Sequence, residues 1–288
     1  MQRHLLQRYL LLLAAGAAFA ANEMNGPSLG WMWDRDSKAL RRLSGLPGAL
    51  RNESGIDLGD GVRAVWIAPA QNVVLIARDG GRLVRRNLVT DETTSLEADM
   101  PEVVVFSPDG RQIGLWSKSA ERFALWGEPA QDLSAARIAL SNDGELVILD
   151  SDGLLRSSRG ASLGNFGANG AIALDGTRLV AVGSGALAVY EKNSAGWRLA
   201  SRREDDRFDA LRQLELELDS VLAVTRNGSV DRWPLSGGDP ETLAAEGVSA
   251  LTRLRQPGFY LAEGESTRVF FALGASQRLY SMPNGEVR

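Results

Sequence analysis

Most hydrolytic and redox chemistry rests on an imidazole, a thiolate or clustered carboxylates, and this 288-residue chain holds one histidine, His4, and no cysteine. His4 lies in a stretch with the features of an export leader, so the expected mature chain has neither residue type. Serine triads, cysteine nucleophiles, zinc centres built from His or Cys, haem ligation through either, and a histidine general base drop out together. Carboxylates remain. Asp34, Asp36, Asp60, Asp205 and Asp206 fall near predicted loops, but a glycosidase needs two held roughly 5 to 9.5 Å apart across a cleft. They read as turn and cap residues. Asp150-Ser151-Asp152-Gly153 has the first two acidic positions of a calcium loop without the third or the closing Glu. Asp57-Leu58-Gly59-Asp60-Gly61 is weaker still. Gly183-Ser184-Gly185 and the 160–170 stretch lack the Lys-Ser/Thr and the helix of a phosphate loop. The residues therefore predict no catalytic group, no metal ligand and no cofactor.

The leader itself spans 1–20. Arg3 and Arg8 precede an apolar run from Leu10 to Ala18, and Ala18-Phe19-Ala20 forms a small-x-small cleavage site. The run is short of the roughly 20 residues a spanning helix needs. The expectation is a periplasmic or extracellular protein beginning near Ala21 or Asn22, forming one domain over 21–288. Without Arg3 and Arg8 it carries 30 basic against 36 acidic residues, a net charge of about −6, which argues against nucleic acid. No later stretch is long and apolar enough to cross a membrane as a helix.

The elements that would position any site repeat along the chain. Val103-Val104-Val105-Phe106 runs into Ser107-Pro108-Asp109-Gly110 and then Ile113-Gly114-Leu115-Trp116; Ile138-Ala139-Leu140 runs into Ser141-Asn142-Asp143-Gly144 and then Leu146 to Leu149. Asp-Gly supplies the positive φ of a tight hairpin between β-rich runs. A second turn family follows the second run: Arg78-Asp79-Gly80-Gly81, Ser151-Asp152-Gly153, Gly183-Ser184-Gly185 and Arg226-Asn227-Gly228. First-strand anchors near Val62, Val103, Ala136, Ala171, Leu211 and Val248 are spaced by 41, 33, 35, 40 and 37 residues, one four-stranded blade each. This predicts an all-β, six- or seven-bladed β-propeller of antiparallel blades. A hairpin over 30–44 either completes the last blade, pairing near Arg268 to Phe271 and Arg278 to Met282, or seeds a seventh. Ser44 to Asp60 reads as loop. The seven Trp residues, at 31, 33, 66, 116, 126, 197 and 233, fall in or beside strands and read as blade packing rather than sugar platforms.

With Phe106-Ser107-Pro108-Asp109-Gly110 and the two turn families, the chain resembles the bacterial WD40-like and YVTN-type propellers. Trp-Asp occurs only as Trp33-Asp34, and no blade carries a Gly-His partner. The resemblance implies an exported binding or scaffolding module for a protein or polar ligand, with a carboxylate-based hydrolase or lactonase holding a divalent ion in the axial mouth as the alternative. It also implies a binding rim at the turns joining strands two and three and the links between blades, which would carry Arg78, Asp79, Arg82, Lys118, Glu121, Asp152, Arg226 and Asn227.

Overall fold

The computed structural model describes residues 28–46, 49–244, 246–264, 268–271 and 278–281. The expected leader lies outside them.

Six blades are four-stranded antiparallel meanders, each strand pairing with the next. An N-terminal sheet precedes them, with β1 (Ser28–Asp34), β2 (Ala39–Leu46), β3 (Ala49–Asn52) and β4 (Ile56–Asp57). Blade 1 comprises β5 (Val62–Ile67), β6 (Val73–Arg78), β7 (Arg82–Asn87) and β8 (Thr93–Glu97). Blade 2 follows with β9 (Val103–Phe106), β10 (Ile113–Ser117), β11 (Arg122–Leu125) and β12 (Gln131–Asp132). In blade 3 the strands are β13 (Arg137–Leu140), β14 (Leu146–Leu149), β15 (Leu154–Ser157) and β16 (Ser162–Asn165). Blade 4 has β17 (Ala171–Asp175), β18 (Arg178–Gly183), β19 (Ala186–Asn193) and β20 (Gly196–Glu204), and a 3₁₀ turn at Asp206–Ala210 leads onward. Blade 5 runs through β21 (Leu211–Leu216), β22 (Ser220–Thr225), β23 (Val230–Pro234) and β24 (Glu241–Ala244). Blade 6 has β25 (Val248–Arg253), β26 (Phe259–Gly264), β27 (Arg268–Phe271) and β28 (Arg278–Ser281). The first strands β9, β13, β17, β21 and β25 stand side by side around the axis.

The predicted turns form as their chemistry requires. In the Ser-Pro-Asp-Gly turn, Gly110 has φ +73° and its N–H donates to the Ser107 carbonyl. The Ser107 hydroxyl donates to Asp109 and accepts from the Gln112 N–H. Ser141 and Gly144, with φ +79°, repeat the arrangement in blade 3. Side chains then link neighbouring turns: Asn72 donates to the Asp109 carbonyl, and the Asp109 N–H donates to Asn142.

Every boundary between neighbouring sheets has its own apolar cluster, and together these form a closed circuit. The N-terminal sheet packs through Leu29 and Leu43 onto Leu254, Phe259 and Leu261 of blade 6, and through Leu40 onto Val74 and Ile76 of blade 1. It is therefore a seventh member of the ring. All seven Trp side chains belong to these boundary clusters, the packing role their positions predicted. The ring closes by packing rather than by shared strands, since β1 and β2 pair with each other while β27 and β28 pair within blade 6. The 44–60 segment is not simply loop. Its β3 and β4 pair with successive parts of β2 and make one interrupted outer lane.

Gln71 clasps the closure. Buried and at φ +56°, it accepts from the Trp31 N–H and donates to the Arg253 carbonyl, touching both sheets that flank the join. Gln71→Ala strands a backbone donor and a backbone acceptor, so it should destabilise the fold by about 1–3 kcal/mol. A thermal melt indistinguishable from the parent would show that this clasp does not hold the ring.

Candidate functional site

The first strands converge on an axial funnel. A cavity of about 420 Å³ opens at the face carrying the turns between first and second strands, lined by the ends of β9, β13, β17, β21 and β25 and by Pro69, Ala70 and Pro108. Its lining side chains are largely apolar, Phe106, Ile138, Leu140, Ile172 and Leu174 among them, while backbone groups and the charged residues supply the larger share of its exposed wall. Among the described residues its charged lining residues are Glu215, Arg253 and Arg255, all on one side, from blades 5 and 6. A cavity of this size, with apolar side chains and a few charged groups gathered on one side, has the build of a ligand site.

The sequence produces that side locally. β21 reads Leu-Arg-Gln-Leu-Glu-Leu, and period-two alternation sends Leu214 and Leu216 to the boundary core while Gln213 and Glu215 share the other side. Gln213 spans the gap to β25, donating to the Leu251 carbonyl and accepting from the Leu251 N–H. The same amide donates to Glu215 at 3.0 Å. Arg253 donates to the Leu216 carbonyl at 3.3 Å. Burial pushes the Glu215 carboxyl up to about 7, against the opposing pull of the Gln213 hydrogen bond and the Arg253 charge.

This has a stability signature. Between about pH 4.5 and 7 an unfolded chain releases the Glu215 proton while the folded chain keeps it, so the group lowers stability as pH rises through that window. Glu215→Gln removes the penalty and should raise stability at pH 8 by about 2–3 kcal/mol, with little change at pH 4. Denaturant melts at both values would check it, and equal gains at both would refute the assignment.

A charged network stands beside the funnel on the same face. Glu145, buried after the Ser141–Gly144 turn, accepts the Ser157 hydroxyl and pairs with Lys192 of β19 at 2.8 Å and Arg159 at 3.6 Å. Lys192 also pairs with Asp143 at 2.5 Å and lies 5.2 Å from the Trp197 ring centre. Burial alone would raise Glu145, but the Lys192 and Ser157 hydrogen bonds outweigh it and hold it below its ordinary value. Hydrogen bonds from Lys192 and Ser141 hold Asp143 lower as well. Asp143, Glu145, Arg159 and Lys192 are all ion-paired here, and the cluster fastens blade 3 to blade 4.

The rim residues expected from sequence lie at the opposite ends of the strands. Arg78 donates to the Leu58 and Asp60 carbonyls, Asp79 pairs with Arg63, and Arg82 reaches Ser95. Lys118 sits 5.8 Å from the Trp116 ring centre, and Glu121 accepts from Ser134. Asp152 is exposed on its turn. Arg226 and Asn227 share a groove of about 440 Å³ with Arg212 and Ser249. The eight residues are spread over blades 1, 2, 3 and 5 and do not converge.

The carboxylates singled out in the sequence have structural posts. Asp34 accepts from Ser37 and Arg41; burial opposes its ionisation, and these hydrogen bonds outweigh it and lower the pKa. Asp60 pairs with Lys38, and Asp36 is exposed on its turn. Asp205 caps the 3₁₀ turn and binds Arg207, whose hydrogen bonds lower it to about 2, while Asp206 is exposed. Asp150 accepts the Asp152 and Leu154 N–H groups as a turn cap. Among the described residues no three acidic side chains stand where they could hold a metal ion, and Glu215 is the one carboxylate lining the funnel.

Glu215 and Arg253 escaped sequence reasoning, although a signal was present. The first strands of blades 2 to 4 offer almost only apolar residues to the axis, and the first strands of blades 5 and 6 break that pattern at Gln213, Glu215 and Arg253.

No protein-family description and no curated protein matches the chain. Solved propellers do. The chain is similar to Hsv2 of Kluyveromyces lactis at 11% identity, covering 75% of this chain and 76% of that one with a TM-score of 0.56. A form of that protein with loop 6CD replaced by a Gly-Ser linker gives 11% identity, 80% and 83% coverage and a TM-score of 0.55. Hydrazine synthase of Kuenenia stuttgartiensis matches at 15% identity over 74% of this chain and 77% of that one, with a TM-score of 0.48. What the Hsv2 likeness establishes is the fold: the chain is a β-propeller.

Proposed function

We propose that this propeller is an exported, non-catalytic binding module that receives a polypeptide or other polar-headed partner at its axial funnel. The observation that carries the reading is the axial cavity of about 420 Å³, lined by apolar side chains and backbone, with its charged side chains Glu215, Arg253 and Arg255 on one side. It offers buried area for an anchor and polar groups to orient it, without a second carboxylate for hydrolysis. The alternative, a carboxylate-based hydrolase, would have to work through Glu215. Its test is turnover of esters, lactones or glycosides that Glu215→Gln abolishes.

Ile172→Trp fills the funnel, whereas Arg226→Ala with Asn227→Ala alters the opposite groove. Partners recovered on the immobilised parent protein should be lost with the first variant and kept with the second, both variants melting like the parent. The reverse outcome would return the binding surface to the rim at Arg78, Asp79, Arg82, Lys118, Glu121, Asp152, Arg226 and Asn227. Export has its own check. Expressed with its leader, the secreted chain should begin near Ala21 or Asn22 by mass spectrometry, and an intact Met1 in that pool would defeat it.

A further inference from the structure

Resting on the funnel as the binding site, we propose that its ligand carries a carboxylate on an apolar body, the body against Phe106, Ile172 and Leu174 and the carboxylate beside Arg253, Arg255 and Glu215. Three observations point this way. The charged side of the funnel has two guanidinium groups against one carboxyl, a surplus of positive charge that favours an anionic head over a cationic one. Arg255 is exposed at the mouth, and Arg253, which faces Glu215 and Glu217, donates to the Leu216 carbonyl at 3.3 Å through one of its five N–H groups, so the pair can offer donors to a charge-assisted contact. The remaining lining is apolar apart from backbone, and about 420 Å³ holds roughly 14 water-sized groups at ~30 Å³ each. That matches an aliphatic acid of ten to twelve carbons in order of magnitude, or the last two apolar residues of a polypeptide with a free carboxyl end.

Glu215 couples this binding to protons. A ligand carboxylate arriving beside it is repelled by the ionised form and accepts a hydrogen bond from the neutral form. Of the groups facing it, Arg253 and Arg255 come from β25 and the turn after it. Glu217 and Tyr260 meet Arg253 and Glu215 from the blade 5–6 boundary, and Arg232 offsets Glu217 at 3.5 Å. Burial holds Glu217 and Tyr260 above their ordinary values, so both are less ready than usual to ionise. β9, β13 and β17 add no charged group to the lining. With Glu215 near 7, binding should tighten about tenfold from pH 8 to pH 6.

Calorimetric titration of the mature protein tests this with decanoate against decan-1-ol and decylamine, and with N-acetyl-leucyl-leucine against its amide. The expected result is that at least one acid binds about tenfold tighter than its neutral or cationic counterpart and is favoured at pH 6. Decanoate alone would identify a free amphipathic acid, and the dipeptide alone a chain end. Arg255→Ala should weaken the acid selectively, and Glu215→Gln should flatten the pH dependence without abolishing binding. Binding of the alcohol, amine or amide as tight as the acid, or no binding of any probe, would overturn the proposal. If Ile172→Trp still abolished partner recovery, the funnel reading would survive that failure.

Discussion

Gly153→Ala should destabilise the propeller by about 3 kcal/mol or more, or prevent accumulation of folded protein. Gly153 closes the turn between β14 and β15 at φ +83°, where an L side chain already costs about 1–2 kcal/mol. Space is the larger difficulty. A Cβ there would lie 2.3 Å from the Gly167 Cα and 2.4 Å from its C and N, atoms of a second tight turn at φ +70°. Backbone on both sides leaves no flexible side chain to give way. Nor can the segments part freely, because the Phe166 N–H donates to the Gly153 carbonyl at 2.8 Å. Gly144 provides the control: its φ is +79°, but a Cβ would meet nothing within 4 Å, so Gly144→Ala should cost only the conformational term. Equal shifts in melting temperature for the two variants would contradict the close approach of the two turns.

Lys192→Met should cost about 3–5 kcal/mol, since it leaves Glu145 in the protein with its closest cation removed. Glu145 is 1% exposed and Lys192 14% exposed, so solvent cannot replace the lost partner, and Arg159 at 3.6 Å covers only one side. Methionine keeps most of the packing on Trp197 and isolates the charge as the cause. Adding Glu145→Leu to Lys192→Met should recover part of the loss, because an apolar pair costs less than an orphaned charge. The pH dependence gives a second readout. Asp143 and Glu145 are held below their ordinary values when folded, so their contribution is present above about pH 4.5 and disappears as pH falls through the lowered values. The acid limb should therefore be shallower in Lys192→Met. A double variant no more stable than the single one would place the damage in packing instead.

The blades were legible because their signals are local. Val103–Phe106, its Asp-Gly turn and Ile113–Ser117 each state their conformation within four or five residues, and β5, β9, β17, β21 and β25 begin at the anchors read from spacing. That the hairpin over 30–44 stands at the closure, as the seed of a seventh sheet, was one of the two arrangements legible in the sequence; the means of closure was not, because it depends on packing between Leu29 and Leu254 and on a clasp from Gln71 to Arg253, contacts some 180 to 225 residues apart. Three acidic candidates, Asp34, Asp150 and Asp205, have their carboxylates committed to nearby N–H groups, as turn and cap residues should. The funnel was missed for a related reason. Nothing in the run from Leu211 to Glu217 alone distinguishes Glu215, which lines a cavity, from Glu217, which lies in the boundary between blades; the axis distinguishes them, and the axis exists only when all the sheets are assembled.

Hydrogen exchange of the purified protein, with and without a partner recovered on the immobilised parent, decides whether the funnel is the binding surface. Binding at the funnel predicts slowed exchange in the segments at its mouth, 68–72, 107–112, 141–145 and 253–258, with 150–153 and 226–229 unchanged. Protection confined to 78–82, 118–122, 150–153 and 226–229, with the funnel segments exchanging as before, would contradict it.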